Sequence, residues 1–294
     1  MRAWYKYFIE TNNAGQNACA QDVFAYQSAQ MDGYAIDPAY SSAEAFFDRY
    51  FLGPDNFRYQ VYEQAAKRYC NPNDRILSVG SGRCATELKL QASGYRIDCS
   101  DLKKPACIAA TKKLFPELSF RELDSLSEYG RQNYDAILSF GVFFTFDDQR
   151  GRAFFDHMAS FLKPGGRIVM DPGGAAENFL TRFLDDILLP TEAKIIAARK
   201  ARREARPQKV VRRHHGFRQK DDDIIQLAGA AGFDLLARET SYSEPEFRRS
   251  RLFELLADAA PAAESMAHGL FGSLAHNIRL MVFKKTDCPG RHPE

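Results

Sequence analysis

One stretch of this sequence restricts its fold more than any other: "RILSVGSGRCATELKLQASGYRIDCSD", residues 75–101. It runs from a short apolar segment through Gly80 and Gly82 into a helical pattern, then into a second apolar segment that ends on Asp101. Glycines directly after a strand let the backbone turn tightly and approach a ligand with no side chain between them. Asp101 follows Gly82 by 19 residues. That spacing sets a carboxylate at the tip of the neighbouring strand, where it can accept both hydroxyls of a ribose. The expectation is a nucleotide site at the carboxyl ends of parallel strands. "GSGRCA" also satisfies Gly-x-Gly-x-x-Ala, a pattern of dinucleotide sites, so an NAD(P)-dependent oxidoreductase stays open here. Against it, the strand begins only at Arg75, behind an aromatic-rich leader, and the later residues read as extensions of one sheet.

From residue 75 onward strand and helix patterns alternate. Strands are expected at 76–79, 96–100, 118–123, 134–141 and 167–171, with helices at 85–92, 103–114 and 150–162. "YDAILSFG" is a nearly continuous apolar run, as expected of a strand covered on both faces. Alternation at this spacing predicts an α/β protein with a doubly wound, mostly parallel sheet. The rhythm then changes: a long, mostly helical segment spans 179–206 and a helix 222–231. Next come an extended stretch at 233–240, a helical stretch around 247–259 and a strand at 277–285. Upstream, a helix is expected at 56–70, stopped by "NPND". Residues 1–58 carry many aromatics with weak periodicity, which predicts short helices and loops packed as a cap on something else.

The ordered set of motifs resembles the class I S-adenosylmethionine-dependent methyltransferases. "ILSVGSGRC" resembles their glycine-rich motif, "IDCSDL" their second-strand motif and "RELDSL" their third-strand motif. "YDAILSFGVFFTFDD" resembles the fourth-strand motif and "LKPGGRIVM" the turn into the fifth strand. "GAAGFDLLARET" followed by "NIRLMVFKK" resembles the closing helix and antiparallel strand pair. The resemblance implies a Rossmann-like, seven-stranded methyltransferase sheet. The N-terminal cap would cover 1–58 and the methyltransferase domain 59–294, with a helical insertion at about 174–220. S-adenosylmethionine is the implied cofactor, with Gly80, Ser81, Gly82, Asp101, Leu102, Asp124, Ser125 and Phe140 at its site. Two positions depart from the family pattern. Ser78 stands where members usually carry an acid, and Cys84 replaces the third glycine. Cys84 is expected to be a small buried residue beneath the loop.

The acceptor is less legible. "SFGVFF" stands where enzymes that methylate nucleic-acid amines carry an Asp/Asn-Pro-Pro-Tyr-like motif. Phe144 and Thr145 occupy the place of the Glu-His pair of many small-molecule members, so an apolar wall is expected there. His214 and His215, read as lying in the linker before "GFRQKDDDI", are the candidates for a general base; the competing reading is a polar loop pair without catalytic duty. Tyr34 and Tyr40 are the candidates for contacting the acceptor. The expected reaction is methyl transfer to a small-molecule or lipid-linked acceptor, at oxygen in preference to nitrogen. A binding protein of the same fold that has lost turnover is the non-enzyme alternative.

Charge bears on partners through its distribution, because 40 basic and 38 acidic residues nearly cancel. Between 194 and 220 eleven residues are basic and only Glu204 is acidic, downstream of an apolar helical face at 179–188. A solvated charged face, an element lying on an anionic membrane, and a nucleic-acid contact compete. Nucleic acid ranks last, since no aromatics interleave with the arginines. Six scattered cysteines form no Cys-x-x-Cys pair, and the histidines offer no companion spacing. A metal site and a disulfide framework are therefore not expected, and a reducing cytoplasm is. No leader or membrane-spanning run is read in the sequence.

Overall fold

The computed structural model describes residues 2–11, 42–52, 57–173, 182–241, 250–251, 255 and 278–286. Strand β1 (Arg2–Thr11) is followed by helices α1 (Ala43–Tyr50) and α2 (Phe57–Tyr69). Ser42 starts α1 by accepting the amide of Ala45 on its hydroxyl, a serine N-cap. The alternating core then runs β2 (Arg75–Val79), α3 (Ala85–Ala92), β3 (Arg96–Asp101), α4 (Ile108–Leu114), β4 (Ser119–Glu122) and β5 (Tyr134–Phe140). A short 3-10 turn at Phe143–Thr145 leads to α5 (Asp148–Phe161), capped by the Asp147 carboxylate, and to β6 (Leu162–Asp171). Beyond lie a π-helical turn at Leu184–Leu188, α6 (Leu189–Glu204), β7 (Gln208–Arg218), α7 (Asp221–Ala230), β8 (Phe233–Ser241) and β9 (Ile278–Lys285).

Seven strands form one sheet in the order β4-β3-β2-β5-β6-β9-β8. The pairs from β4 to β6 are parallel, and β9 runs antiparallel to both β6 and β8. This is the expected doubly wound α/β sheet. Successive side chains of a strand point to opposite faces, and the core divides accordingly. Ile76, Ile97, Leu138, Val169 and Val282 pack on one face with Tyr62, Ala65 and Leu88. Leu77, Ile137, Ile168, Met170 and Phe283 pack on the other with Phe154, Phe155, Met158 and Ile224. The "KPGG" segment is looped out of register at the start of β6: Tyr134 pairs with Leu162, and Ala136 with Arg167. Gly165, at φ +68°, makes that detour.

Two expectations are corrected. Residues 2–11 form a strand, not short helices and loops. The residues carrying His214 and His215 also form a strand, not a linker. β1 and β7 pair antiparallel as a separate two-stranded sheet, from Arg2 opposite Arg218 to Thr11 opposite Gln208. The region after β6 is thus helical only in part.

The second sheet is fastened at one end by Arg218, whose side chain is 1% exposed and bonds Asp185 at 3.0 Å and Asp186 at 3.1 Å. The indole of Trp4 donates to Asp185 as well, at 3.1 Å. No helix among the described residues is long and apolar enough to cross a membrane.

Candidate active site

Strand order reverses between β2 and β5, and an open α/β sheet binds its ligands in the crevice beyond such a switch point. There the structure has a cleft of about 270 Å³. Its floor is Gly80, Ser81, Gly82 and Arg83 after β2, with Phe140 and Gly141 at the end of β5. Its walls are Ala85, Thr86 and Glu87 of α3, Arg58, Tyr59 and Tyr62 of α2, and Tyr50 of α1.

The glycine loop is built by backbone geometry. Gly80 has φ +75°, and a Cβ placed on it would lie 2.1 Å from Cγ2 of Val142. No side chain fits between the loop and the turn that follows β5. The amides of Gly80 and Ser81 both donate to the carbonyl of Ser100, at 2.9 Å each, which ties the loop to β3. The amide of Gly82 donates to Asp101 at 3.0 Å, and that of Leu102 to the same carboxylate at 2.8 Å. Asp101 is nearly buried, and burial pushes its carboxyl up to about 6, opposed by the two amides. Cys84, at φ 62°, sits fully buried under the loop; its thiol is shifted well up by its hydrogen bond to Cys99 and by burial.

The residues expected at a cofactor site are only partly brought together. Gly80, Ser81, Gly82 and Phe140 line the cleft. Asp101 and Leu102 lie just behind it, coupled through Gly82. Asp124 and Ser125 follow β4 and do not line it. The Asp124 carboxylate accepts the Leu126 amide at 2.9 Å and the Ser127 hydroxyl at 2.7 Å, closing its own turn. Tyr34 and Tyr40 lie outside the described residues. His214 and His215 do not line the cleft either. The ring of His215 packs 4.4 Å from Trp4 and 5.1 Å from Phe144, whereas His214 packs on Tyr5 and Phe217. Phe144 is hemmed in: a Cβ on Gly173 would meet it at 2.8 Å and one on Gly216 at 2.5 Å. It stands on the turn that begins with Val142, so the wall expected at Phe144 is an aromatic cluster adjoining the glycine loop.

Several cleft residues go beyond the sequence reading, among them Tyr62, Arg58 and Glu87. The ring of Tyr62 lies on that of Phe140, centroids 4.4 Å apart and planes within 2°. Its hydroxyl donates to Asp171 at the end of β6, and burial followed by the Asp171 charge pushes the phenol well up. Arg58 comes within 3.8 Å of the same carboxylate. The signal for Arg58 and Tyr62 was their i, i+4 spacing on a helical pattern, which sets both on one face. Glu87, 5% exposed, receives a 2.6 Å hydrogen bond from Ser78, the residue that stands where an acid was expected. Burial, more than the charge of Asp101, holds its carboxyl at about 7. Nothing local in the sequence marked it.

These residues fit S-adenosylmethionine. A glycine turn that admits no Cβ, a strand-tip carboxylate behind it and a buried carboxyl beside it suit a nucleoside bearing an amino-acid end. Among the described residues no cluster of three or more His, Cys, Asp and Glu could hold a metal ion.

Residues 76–166 match a family model described as a methyltransferase domain. Among curated proteins none matches the sequence. Solved structures do match, at low identity. One is the 1,6-didemethyltoxoflavin N1-methyltransferase of Burkholderia thailandensis, with bound 1,6-didemethyltoxoflavin and S-adenosylhomocysteine: 13% identity, 95% of each chain covered, TM-score 0.51. Another is the geranyl diphosphate C-methyltransferase of Streptomyces coelicolor A3(2), in complex with magnesium, geranyl diphosphate and S-adenosylhomocysteine: 11% identity, 78% of each chain covered, TM-score 0.50. At such identities the likeness establishes the fold. The family match marks the strand–loop–helix core at residues 76–166 as a methyltransferase domain, for which S-adenosylmethionine is the implied cofactor.

Proposed function

We propose that the chain methylates a small-molecule or lipid-linked acceptor, at oxygen in preference to nitrogen, with the acceptor held against the aromatic cluster of Trp4, Phe144 and His215. The observation that carries this reading is the His215 imidazole packed on Phe144, one turn away from the residue that touches Gly80. A hydroxyl needs a base, and His215 would take its proton as the oxygen–methyl bond forms and the methyl–sulfur bond breaks. His214 is the weaker candidate of the two, because its ring packs on Tyr5 and Phe217, away from Phe144. Tyr34 and Tyr40 stay in the proposal as acceptor contacts on sequence grounds. Both solved relatives bind small-molecule substrates, 1,6-didemethyltoxoflavin in one and geranyl diphosphate in the other, the same kind of acceptor. The domain reading also belongs here: residues 1–58 as a cap over the domain at 59–294, supported by the place of Tyr50 in the cleft wall.

The test is incubation of the protein with methyl-labelled S-adenosylmethionine and fractionated extracts. Label is expected in a low-molecular-weight or lipid fraction as an alkali-labile ester or an ether. His215→Asn should lower kcat by about a hundredfold or more and flatten the acid limb of its pH profile. Label in protein or nucleic acid would overturn the acceptor class, and label on nitrogen the preference for oxygen.

A second reading concerns the basic segment. Phe183, Ile187 and Ile195 stand exposed, the two isoleucines at 55% and 48%. The exposed cations Lys194, Arg199, Arg202 and Arg203 follow on the same helical run. Apolar residues beside cations favour an anionic membrane surface, the source of a lipid-linked acceptor. Sedimentation with phosphatidylserine vesicles at low salt is expected, with loss when Arg199, Arg202, Arg203 and Arg206 are changed to glutamine. Failure to sediment at low salt would remove this reading.

A further inference from the structure

We propose that Glu87 supplies the carboxylate that binds the methionyl ammonium of S-adenosylmethionine, in place of the acid absent at position 78. This rests on the cofactor reading above and deepens it. Position 78 lies on β2, two residues before Gly80, and in this chain its serine hydroxyl donates at 2.6 Å to a carboxylate arriving from α3. The acidic group is therefore present at the loop, carried by the next helix. Glu87 lines the cleft together with Gly80, Ser81, Gly82 and Arg83.

The groups about it are Ser78 on β2, Asp101 at the tip of β3 and the buried thiols of Cys84 and Cys99, while Arg83 in the loop, Arg58, Tyr59 and Tyr62 on α2 and Tyr50 on α1 line the same cleft. The two arginines are turned to other partners, Arg83 over the Tyr50 ring at 4.9 Å and Arg58 toward Asp171 at 3.8 Å. The bonded partner of Glu87 is an uncharged hydroxyl, and desolvation dominates its carboxyl, holding it at about 7. An ammonium entering the cleft reverses that balance. Glu87 then releases its proton to solvent and forms a hydrogen-bonded ion pair at a buried carboxylate, with Ser78 fixing its orientation. Asp101, held behind the glycine loop by the Gly82 and Leu102 amides, is the carboxyl that would remain for the nucleoside end, so the two ends of the cofactor would meet different carboxyls.

The experiment is titration calorimetry of the full chain with S-adenosylhomocysteine and with 5′-methylthioadenosine, which keeps the nucleoside and lacks the amino-acid end. In the wild type, affinity for S-adenosylhomocysteine is expected to rise severalfold between pH 6 and pH 8, with a proton released on binding that shows as a dependence on buffer ionisation enthalpy. Methylthioadenosine should release none through Glu87. Glu87→Gln is expected to weaken S-adenosylhomocysteine about tenfold at pH 8, to abolish the difference in proton release and to leave methylthioadenosine within about twofold. Unchanged affinity for S-adenosylhomocysteine in that variant, parallel loss of both ligands, or a wild-type pH profile identical for both ligands would each overturn the proposal. A wild type that binds neither ligand at any pH would remove the cofactor reading itself, a different outcome from failure of Glu87 alone.

Discussion

Tyr62 joins the tips of two neighbouring strands: its ring lies flat on Phe140 at the end of β5, and its hydroxyl donates to Asp171 at the end of β6. The residue sits on α2, so the wall of the cleft is set by one helix leaning on two strand ends. Tyr62→Phe keeps the stack and removes one bond to a buried carboxylate that retains the Gly173 amide at 2.7 Å. A loss of about 1–2 kcal/mol is expected in urea unfolding. Tyr62→Ala removes the stack too and should cost about 3–5 kcal/mol, with a clear loss of cofactor affinity.

Gly80 carries two requirements at once, a left-handed backbone and an empty Cβ position against Val142. Gly80→Ala is expected to weaken S-adenosylhomocysteine by tenfold or more and to lower stability by about 2–3 kcal/mol. Gly80→Ala combined with Val142→Ala should recover the packing share of that loss and leave the backbone share of about 1 kcal/mol. Equal loss in the single and double variants would show that the contact with Val142 is not what the glycine serves.

The pH dependence of stability follows from Glu87. Folded, it holds its proton up to about 7; unfolded, it releases it in the ordinary glutamate range. As pH climbs through that window the unfolded chain has already lost the proton that the folded chain keeps, so stability falls from about pH 4.5 to about pH 7. Asp101 adds to the fall up to about pH 6. Glu87→Gln removes its share, so the variant should match the wild type near pH 4.5 and exceed it at pH 8, by on the order of 2–3 kcal/mol. Urea midpoints at the two pH values decide it. A gap between the two proteins that stays constant with pH would contradict the assignment.

Arg218 is buried between two carboxylates, and Asp185 is itself nearly inaccessible. Removing one partner of a buried ion pair leaves an uncompensated charge, so Arg218→Ala should cost about 3–5 kcal/mol. Trp4 is the single tryptophan of the chain, and it stands on β1 with its indole on Asp185. Its fluorescence therefore reports on the small sheet and on its seat against Phe144 and Asp185. In Arg218→Ala its emission should move to the red at lower urea than the loss of far-ultraviolet circular dichroism, which follows the seven-stranded sheet. Coincident transitions would mean that the two sheets unfold together.

The parts legible in the sequence were those written locally. Residues 75–101 announced strand, glycine turn, helix and strand-tip acid within one window, and each stands as expected. The apolar run at 134–140 and the closing strand at 278–285 were equally plain, because a strand buried on both faces needs no partner to be recognised. The small sheet was not legible. Arg2–Thr11 finds its partner at the far side of the whole core, and nothing within either segment names the other. Ser78 is the subtler case. Its own window showed an acid missing, while the acid that serves the loop comes from α3 and is joined to it only by the turn of the helix.

The pairing of β1 with β7 sets an order on how the molecule is made. Arg2–Thr11 leaves the ribosome before its partner, and the strand that receives it follows only after five strands of the large sheet have been synthesised. At usual elongation rates that interval is on the order of ten seconds or more. An aromatic strand, with Trp4, Tyr5 and Tyr7 unpaired, spends that time with open backbone donors and acceptors, the condition in which strands find the wrong partner. A chain synthesised without residues 208–218 would leave it so permanently, and Arg2–Thr11 would then be its first point of aggregation.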